Sequence, residues 1–467
     1  METYQQTRRT HWDAIAQKRD HSRGMGKWYH QRIIEIYSYL IGPNQSILEI
    51  GCGTGSLLAQ LQPSYGVGVD FSGEMIARAR QYQPEFEYHQ MDALDLSSLN
   101  GEFDIIILSD LVNDLWDVQH TFEQVRKFCT PRTRIILNFY SHVWQIPLTL
   151  AQLFNLAVPM LPQNWLTPAD INNMLRLAGF ENIRTTPEIL WPLPLGSLIN
   201  RYLVKLWPFN NFALSNFVIA RPALQPAKQP NVSVVIAARN EAGNIKSIFQ
   251  RVPQMGSGTE IIFVEGHSRD NTYETIADEI PLHSSTPSLL LRQTGIGKAD
   301  AIRLGFEKST GDILMILDAD LTVPPEDLPR FYNAIVSGHG EFINGVRLVY
   351  PMEKEAMRTL NFIGNKIFSM AFSWLLGQPI KDTLCGTKVM WREDYKKIAA
   401  NRSYFGDFDP FGDFDLIFGA AKLNLKIVDL PIRYRDRTYG TTNISRWKHG
   451  LLLLRMVVFA ASRIYFV

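Results

Sequence analysis

SILEIGCGTGSLL, residues 46–58, decides the fold of the first half of the chain. An apolar strand pattern runs directly into three alternating glycines, Gly51, Gly53 and Gly55, and then into a helical pattern. Glycine lets the backbone come close to a ligand, and the following helix N-terminus favours polar or anionic groups. The unit is typical of a Rossmann-like α/β domain that binds a nucleotide-like cofactor, and the loop alone would suit a dinucleotide equally well.

Acidic residues come at or after the ends of the next predicted strands. Asp70 ends the second strand, where a carboxylate can hold a ribose diol, Asp92 comes soon after the third, and Asp110 follows the fourth. The strands predicted in this half span residues 46–50, 66–70, 86–90, 103–109 and 133–139. Because helical stretches separate them, the pattern predicts an α/β domain with a largely parallel sheet.

This pattern resembles the class I S-adenosylmethionine-dependent methyltransferases over roughly residues 10–220. The resemblance implies a set of cofactor-binding residues: Glu49, Gly51, Gly53 and Gly55 around the methionine part, Asp70 on the ribose, Met91 and Asp92 beside the adenine, and Asp110 near the cofactor amino group or the substrate. A sulfonium is already a strong methyl donor, so alignment and exclusion of water supply much of the catalysis. The methyl acceptor stays open, because the nearby aromatic residues suit either its pocket or ordinary packing: His11, Trp12, Trp28, Tyr29 and His30.

Two further segments of the first half depart from the simple alternation. TPADINNMLRLAGF predicts a helix with Thr167 as its N-cap, Pro168 at the first helical position and Gly179 as its terminator. The stretches 144–165 and 190–217 are rich in aromatic residues and proline, and we expect them to elaborate the functional edge of the sheet.

A proline-rich joint, RPALQPAKQP, separates the two halves. It predicts one domain over residues 1–221, a linker over 222–230 and a second domain over 231–467. The second half has its own series of predicted strands, at residues 232–238, 260–265, 289–292, 313–318 and 342–347. Both halves are therefore expected to be α/β domains.

A pair of carboxylates marks the second half. Asp318 and Asp320 alternate at the carboxyl end of the apolar run ILMIL, and LTVPPED follows them. Hard carboxylate oxygens in this position can hold Mg²⁺ or Mn²⁺ against a sugar diphosphate. Further upstream, VSVVIAARNEAGNI ends a strand in a polar loop, with Asn240 predicted as a helix N-cap.

The order of the motifs in the second half resembles the family 2 glycosyltransferases of the GT-A type, over roughly residues 231–450. The similarity is greatest to the dolichyl- or polyprenyl-phosphate mannosyltransferase branch, through GIGKADAIRLG, ILMILDADLTVPPED, RLVY, KDTLCGTKV and RDRTYGTTNISR. It implies nucleotide-sugar contacts from Ala237, Arg239, Glu241, Glu265, Lys298, Asp318, Ala319 and Arg358. It also implies a metal on Asp318 and Asp320, and catalytic roles for Asp320, Arg347, Arg437 and Asp413.

The second half also departs from that branch at several positions. Ala237 replaces a proline, Glu265 and Gly266 replace paired aspartates, Thr322 replaces a glutamine, and Asn443 replaces a lysine. These changes leave the nucleotide and the lipid-phosphate acceptor open. Asp413 bears on the same question, because a hydroxyl acceptor needs a general base whereas a phosphate acceptor is already an anion.

Composition limits the partners and the location. The formal net charge of +1 gives no overall field that favours nucleic acid, and three dispersed cysteines fit a reducing compartment. No uninterrupted apolar run of about 20 residues predicts a spanning helix. Residues 361–377 and 448–467 are apolar enough to lie in a membrane interface, although core packing explains them as well. The sequence thus predicts a cytoplasmic protein with peripheral contact at the inner face of a membrane.

The main hypothesis is a bifunctional enzyme for methyl transfer and for inverting, metal-dependent sugar transfer to a lipid-phosphate or glycan acceptor, as in cell-wall or glycolipid biosynthesis. One alternative is a glycosyltransferase whose first half binds S-adenosylmethionine without catalysis. Others are a soluble transferase that acts on a saccharide or protein hydroxyl, and a module that binds lipid or glycan without turnover.

Overall fold

The computed structural model describes residues 2–18, 26–153, 161–223, 229–350, 359–402, 412–435, 439 and 446–466. The chain divides into two compact units, Met1–Ala223 with Phe466–Val467, and Leu224–Tyr465. Each unit is built around its own seven-stranded sheet.

The first unit is a doubly wound α/β sheet with one antiparallel strand. Its strands are β1 Ser46–Ile50, β2 Tyr65–Asp70, β3 Glu87–Gln90, β4 Phe103–Ser109, β5 Cys129–Tyr140, β6 Phe180–Ile189 and β7 Ser215–Pro222. Its helices are α1 Glu2–Lys18, α2 Gly26–Leu40, α3 Ser56–Leu61, α4 Gly73–Tyr82, α5 Val118–Val125, α6 Gln145–Leu153, α7 Pro168–Leu177 and α8 Ser197–Arg201. The sheet order is β3-β2-β1-β4-β5-β7-β6, with β7 antiparallel to both of its neighbours.

This topology explains the sequence of β1. Ile47 packs in one hydrophobic cluster and Leu48 in another, because helices cover both faces of the sheet. The strand order reverses between β1 and β4, and in open α/β sheets ligands bind in the crevice at that switch point. The first site must therefore lie at the carboxyl ends of these two strands.

The predicted α/β fold of the first half is confirmed, and so is the helix at residue 167. Thr167 caps α7 in a capping box with Asp170, Pro168 begins the helix, and Gly179 follows with a φ of 77°. Strands β6 and β7 were not predicted. The β6 sequence, FENIRTTPEI, carries a proline and many polar residues, and β7 begins inside the stretch that we expected to lie over the sheet edge.

The second unit is also an α/β sheet with one antiparallel strand. Its strands are β8 Val232–Ala238, β9 Thr259–Glu265, β10 Ser288–Arg292, β11 Ile313–Ile316, β12 Phe342–Val346, β13 Lys388–Trp391 and β14 Ile427–Pro431. Its helices are α9 Ala242–Arg251, α10 Thr272–Leu282, α11 Lys298–Lys308, α12 Leu328–Val336, α13 Thr359–Leu376, α14 Arg392–Ala400, α15 Asp413–Lys422 and α16 Arg446–Ala460, continued by a π-helical turn at Ala461–Tyr465. The order is β10-β9-β8-β11-β13-β12-β14, with β13 antiparallel between β11 and β12.

The α/β fold predicted for the second half is likewise confirmed, but one local prediction is wrong. Asn240 does not cap a helix: α9 begins at Ala242, and Glu241 occupies the N-cap position. Asn240 instead has a φ of 57°, and its side-chain oxygen accepts a hydrogen bond of 2.7 Å from the Arg269 amide. Asparagine tolerates this left-handed conformation better than most residues, so the loop uses it to turn.

Across the described part of the chain, every helix is too short or too polar to cross a membrane.

Candidate active sites

The glycine loop of the first unit lies on the end of β2. Gly51, Gly53 and Gly55 have φ angles of 75°, 52° and 73°, which only glycine adopts readily. The Gly51 amide donates to the Val69 carbonyl at 2.7 Å, and the Gly53 amide donates to Asp70 Oδ2 at 2.9 Å. These two amides are thus used within the protein, so a ligand at this loop would be met by close approach of the backbone rather than by hydrogen bonds from them.

A cavity opens beside this loop. It is lined by Tyr4, Gln5, Arg8, Ile50, Gly51, Val69, Asp70, Phe71, Met91, Asp92, Ala93, Leu94, Leu111, Asp114, Leu115 and Trp116. Four of the expected cofactor residues, Gly51, Asp70, Met91 and Asp92, therefore meet in one place. The other four, Glu49, Gly53, Gly55 and Asp110, are not part of this lining.

Two buried carboxylates lie at the ends of β1 and β2. Burial raises the pKa of Glu49 to about 8, and Oε2 of Glu49 has no hydrogen-bond partner among the described residues. Burial also raises the pKa of Asp70 to about 6, although hydrogen bonds from the Ser72 and Gly53 amides oppose the shift. A buried acceptor with no donor is costly, so Glu49 is suited to a ligand that brings one.

Helix α1 packs over the cavity, which the sequence analysis did not predict. Gln5 Nε2 donates to Asp92 Oδ2 at 2.8 Å, and Arg8 forms an ion pair with Asp114 at 2.9 Å. Trp12, expected to line a pocket or to pack, donates from Nε1 to Asp114 at 2.8 Å. The mean hydropathy of α1 is low, so its sequence gives little sign that it would cover a ligand site.

Asp110 lies just after β4, in a network of hydrogen bonds. Its Oδ1 accepts from the Tyr29 hydroxyl at 2.6 Å and from Asn138 Nδ2 at 2.5 Å. Burial raises the pKa of Asp110 to about 6, and its φ of 51° is unusual for a residue with a side chain. Of the predicted aromatic residues, Tyr29 is buried on Asp110, whereas Trp28 and His30 are exposed.

Asp318 and Lys298 form the charged centre of the second site. Lys298 Nζ lies 2.5 Å from Asp318 Oδ1. Burial disfavours both charges, but the attraction between them outweighs it, so the pKa of Asp318 is lowered and that of Lys298 is raised. The Gly386 backbone lies against the pair, because a Cβ there would be 2.1 Å from Asp318 Oδ2. The KDTLCGTKV motif thus contributes a glycine that admits this pair.

Asp320 lies two residues further along the same loop. Its Oδ1 accepts hydrogen bonds from the Thr322 hydroxyl at 2.8 Å and from the Thr322 amide at 3.2 Å. Thr322, which replaces the glutamine of the lipid-phosphate branch, therefore orients this carboxylate. The Ala319 methyl group lies in the hydrophobic core, which leaves only its backbone for contact with a sugar donor.

The described residues contain no cluster of three or more side chains of the types that usually bind metals. The protein accordingly supplies two carboxylates, from Asp318 and Asp320, and a bound metal would need diphosphate oxygens and water to complete its shell. Mg²⁺ is commonly bound in this way, through one or two carboxylates plus substrate phosphates. The residues present therefore fit a divalent metal that arrives with the sugar donor.

Asp413 begins α15 and has a buried cationic partner that the sequence analysis did not identify. Lys388 Nζ lies 2.9 Å from Asp413 Oδ1, and the Lys388 side chain is fully buried. The Asp413 charge also favours the protonated form of Lys298, which contributes to the raised pKa of that lysine. Asp413 is thus part of the same charged centre as Asp318.

Arg347, expected to be catalytic, forms an ion pair with the buried Asp382. Its Nε and Nη2 donate to the two Asp382 oxygens at 2.7 and 2.8 Å. The guanidinium carbon also lies 5.2 Å from the centre of the Tyr434 ring. Burial disfavours the Arg347 charge, but Asp382 outweighs it and raises the pKa. The catalytic role of Arg347 stays a prediction, and Nη1 is the guanidinium nitrogen that takes no part in this pair.

Two of the residues expected to contact the nucleotide, Glu241 and Glu265, are held by hydrogen bonds at the ends of β8 and β9. Glu241 is buried and accepts from Asn244 Nδ2 at 2.7 Å, while Glu265 accepts from the Ser268 amide at 2.5 Å. Arg239 is exposed and Ala237 is half-buried, so both remain accessible at this edge.

Tyr439, from the RTYG motif, reaches the same edge. The Tyr439 hydroxyl lies 3.5 Å from Asp270 Oδ2, and the ring covers Gly243, where a Cβ would be 2.6 Å from it. Asp270 was not predicted as a site residue, although it belongs to the quoted GHSRDNT segment. Arg358, expected to contact the nucleotide-sugar, and Arg437, expected to be catalytic, lie outside the described residues.

The fold and these two sites define a transferase with two α/β domains. Residues 47–132 match the family model of a methyltransferase domain, and residues 233–399 match that of glycosyl transferase family 2. The chain thus carries a segment that matches a methyltransferase domain, followed by one that matches a family 2 glycosyltransferase domain, and the predicted resemblance to these two families is confirmed.

Individual relatives match one half at a time. Glycosyltransferase AglJ of Haloferax volcanii is 26% identical over 221 residues, which are 47% of this chain and 68% of AglJ. The dolichol-phosphate mannosyltransferase of Pyrococcus furiosus is 36% identical over 110 residues, 23% of this chain and only 30% of that enzyme. Among solved structures, magnesium protoporphyrin IX methyltransferase from Synechocystis covers 41% of this chain and 83% of its own, at 21% identity and a TM-score of 0.30.

Proposed function

We propose that the second half transfers a sugar, with inversion, from a nucleotide-sugar to a polyprenyl-phosphate acceptor, and that the first half methylates a related molecule. The carboxylate pair Asp318 and Asp320, held beside Lys298 at the carboxyl end of β11, is the observation that carries the glycosyl-transfer proposal. Names of relatives that refer to undecaprenyl phosphate and dolichol phosphate support the acceptor class.

In this proposal Asp320, with Asp318, holds Mg²⁺ or Mn²⁺. The metal, when bound, neutralises the charge that develops on the leaving nucleoside diphosphate. Lys298 places a further positive charge within the same centre, 2.5 Å from Asp318. Glu241, Glu265 and Arg239 line the edge where the nucleotide would lie.

The environment of Asp413 favours a phosphate acceptor over a hydroxyl. Its Oδ1 faces the fully buried Lys388 at 2.9 Å, so this oxygen is engaged in an ion pair and is not directed at an acceptor hydroxyl. A phosphate monoester attacks as an anion and needs no base. Asp413 then orients Lys388 and supports the charge of Lys298, which is a positioning role.

For the first half, the residues fit S-adenosylmethionine. The orphaned Glu49 Oε2 would accept from the ammonium group of the methionine part, Asp70 from the ribose hydroxyls, and Asp92 from the adenine amino group. Asp110 lies at the switch point, where the cofactor amino group or the acceptor would be found. When bound, the cofactor supplies a sulfonium methyl group, and the protein supplies alignment and exclusion of water.

Two helices support a peripheral contact with a membrane at its cytoplasmic face. Helices α13 and α16 pack part of their surface in the core, but each also exposes large apolar side chains: Ile367, Met370, Trp374, Leu451, Leu454 and Val458. Scattered exposed apolar residues need no explanation, whereas a row on two helices of one unit fits the apolar side of a lipid interface.

The acceptor is tested by incubating the protein, Mn²⁺ and a panel of labelled nucleotide-sugars with vesicles that contain undecaprenyl phosphate. We expect label to enter the lipid fraction with at least one donor, and the protein to float with the vesicles. Matched reactions contain undecaprenol or a soluble oligosaccharide in place of the lipid phosphate. Transfer to the oligosaccharide, with none to the lipid phosphate, would favour the soluble transferase instead.

The cofactor proposal predicts a pH dependence for the binding of S-adenosylmethionine. Because burial raises the pKa of Asp70 to about 6, its carboxylate is mostly protonated at pH 5 and mostly ionised at pH 7. The ionised form is the better acceptor for ribose hydroxyls, so affinity should rise with pH, by about tenfold over this range. Calorimetric titration at both pH values measures it.

Glu49 and Asp110, whose pKa values burial raises to about 8 and about 6, are the competing sources of such a slope. Asp70→Asn should flatten the pH dependence, and Asp110→Asn should leave most of it. Equal affinity of the parent protein at pH 5 and pH 7 would contradict the role of Asp70. If S-adenosylmethionine binds at neither pH 5 nor pH 7, the proposed methyltransferase activity is contradicted.

A further inference from the structure

The glycosyltransferase unit contains an arginine-rich cleft. Its volume is about 900 Å³, and it is lined by Pro324, Glu326, Asp327, Arg330, Tyr350, Arg433 and Arg435. Every lining residue follows Asp320 in the chain. None belongs to β8–β10 or α11, the elements whose ends are expected to contact the nucleotide.

The charges around the cleft do not cancel. Arg251 neutralises Glu326 with two contacts, of 2.7 and 2.9 Å, and Arg330 neutralises Asp327 at 3.3 Å. Arg433 and Arg435 form no ion pair within the described ranges of the chain, although Glu326 also interacts electrostatically with Arg435. Four guanidinium groups therefore face two carboxylates, and the excess positive charge creates a local field that attracts anions.

Both arginines are held in place by other contacts. The Arg433 guanidinium lies 5.3 Å from the centre of the Tyr350 ring, a cation–π contact that limits its rotation. The Arg435 amide donates to the Thr322 carbonyl at 3.0 Å, which fixes the backbone from which this side chain extends. Arg330 Nη2 donates to the Pro431 carbonyl at 2.9 Å, which ties Arg330 to the segment that carries Arg433 and Arg435.

Thr322 connects the cleft to the donor centre. Its carbonyl accepts from the Arg435 amide, while its hydroxyl donates to Asp320 at 2.8 Å. Arg435 is therefore linked through Thr322 to Asp320, the carboxylate expected to hold the metal. The cleft is thus connected to the donor centre at Asp320, but it shares no lining residue with β8–β10 or α11, which are expected to contact the nucleotide.

We propose that this cleft, through Arg433 and Arg435, binds a phosphate group of the glycosyl acceptor. The inference rests on the proposed sugar transfer and adds to it the residues that recognise the acceptor. Planar guanidinium groups bind phosphate oxygens through paired hydrogen bonds, and two of them side by side match a monoester dianion. Ring stacking on Tyr350 leaves the guanidinium edge of Arg433 available for those bonds.

The test measures binding of farnesyl phosphate, a short lipid phosphate, to the full-length protein by calorimetry without metal or nucleotide. We expect the double variant Arg433→Gln/Arg435→Gln to weaken binding at least tenfold. Arg176→Gln is the control, because Arg176 is an exposed arginine of the first unit that lies outside the cleft lining and pairs with none of its carboxylates, and its variant should bind like the parent. Farnesol should not bind at this site.

Inorganic phosphate separates the two sources of the anion. Weaker binding of inorganic phosphate than of farnesyl phosphate, with both lost in the double variant, supports a lipid phosphate as the ligand. Equal affinity for the two, again lost in the double variant, supports a phosphate site that makes no use of the lipid. Unchanged farnesyl phosphate affinity in the double variant would overturn the inference.

Failure of this inference is distinguishable from failure of the proposed function. Binding of nucleotide-sugar with Mn²⁺ is measured in parallel on the parent and the double variant. Intact donor binding together with unchanged farnesyl phosphate binding would remove only the cleft. Absence of donor binding in the parent would remove the proposed sugar transfer.

Discussion

Asp320→Asn is expected to lower the rate of sugar transfer by about 10³-fold, equivalent to about 4 kcal/mol in the barrier. The amide keeps the Oδ1 atom that accepts from the Thr322 hydroxyl at 2.8 Å, so the loop should retain its conformation. It loses the negative charge that would hold a divalent metal against the diphosphate. Steady-state transfer of labelled sugar to undecaprenyl phosphate, at several Mn²⁺ concentrations, gives the rate.

Asp312→Asn is the matched control for this prediction. Asp312 is an exposed aspartate just before β11, at the opposite end of the strand from Asp320, and the substitution is chemically identical. It should leave transfer within about twofold of the parent, as surface substitutions usually do. A rate for Asp320→Asn that also stays within a few fold would contradict the metal-dependent donor site.

Gly55→Ala is expected to have the largest effect in the methyltransferase half. A Cβ at this position would lie 2.2 Å from the hydroxyl of Tyr88, which is itself buried, and φ is 73°. The left-handed conformation and the overlap each cost about 1–3 kcal/mol, so the unfolding free energy should fall by about 3 kcal/mol or more. Displacement of the loop should also weaken binding of S-adenosylmethionine.

Gly53→Ala tests whether the close approach, rather than the backbone angle alone, produces this loss. Gly53 also has a positive φ, of 52°, but nothing lies within 4 Å of a Cβ built there. The cost should therefore be limited to about 1–2 kcal/mol of backbone strain. Thermal unfolding and calorimetric titration with the cofactor measure both variants, and equal losses would show that the contact with Tyr88 is unimportant.

Local patterns were sufficient for the parts of each domain where one segment contains the signal. The strand, glycine loop and helix of residues 46–58 are contiguous, and so are the apolar run and carboxylates that end in Asp320. A buried parallel strand has to be apolar, and a loop with three positive φ angles has to be glycine. These constraints act within a dozen residues, so the sequence displays them directly.

Strands with atypical sequences were harder to predict, whether at the edge of a sheet, as β6, or inside it, as β13. β6 carries polar residues and a proline, and β13 has only four residues, Lys388–Trp391. Lys388 begins β13 yet is fully buried, because Asp413, 25 positions later, approaches to 2.9 Å. No local pattern distinguishes such a lysine from one at the surface.

The sequence by itself determined two α/β domains, the cofactor loop with its acidic residues, and the paired carboxylates of the donor site. Only the tertiary structure decided the electrostatic partners of those groups: Lys298 with Asp318, Lys388 with Asp413, Arg347 with Asp382, and helix α1 over the first cavity. The physical reason is that backbone conformation and strand burial depend on neighbouring residues. Ion pairs and cavities depend instead on distances between residues that are far apart in the chain.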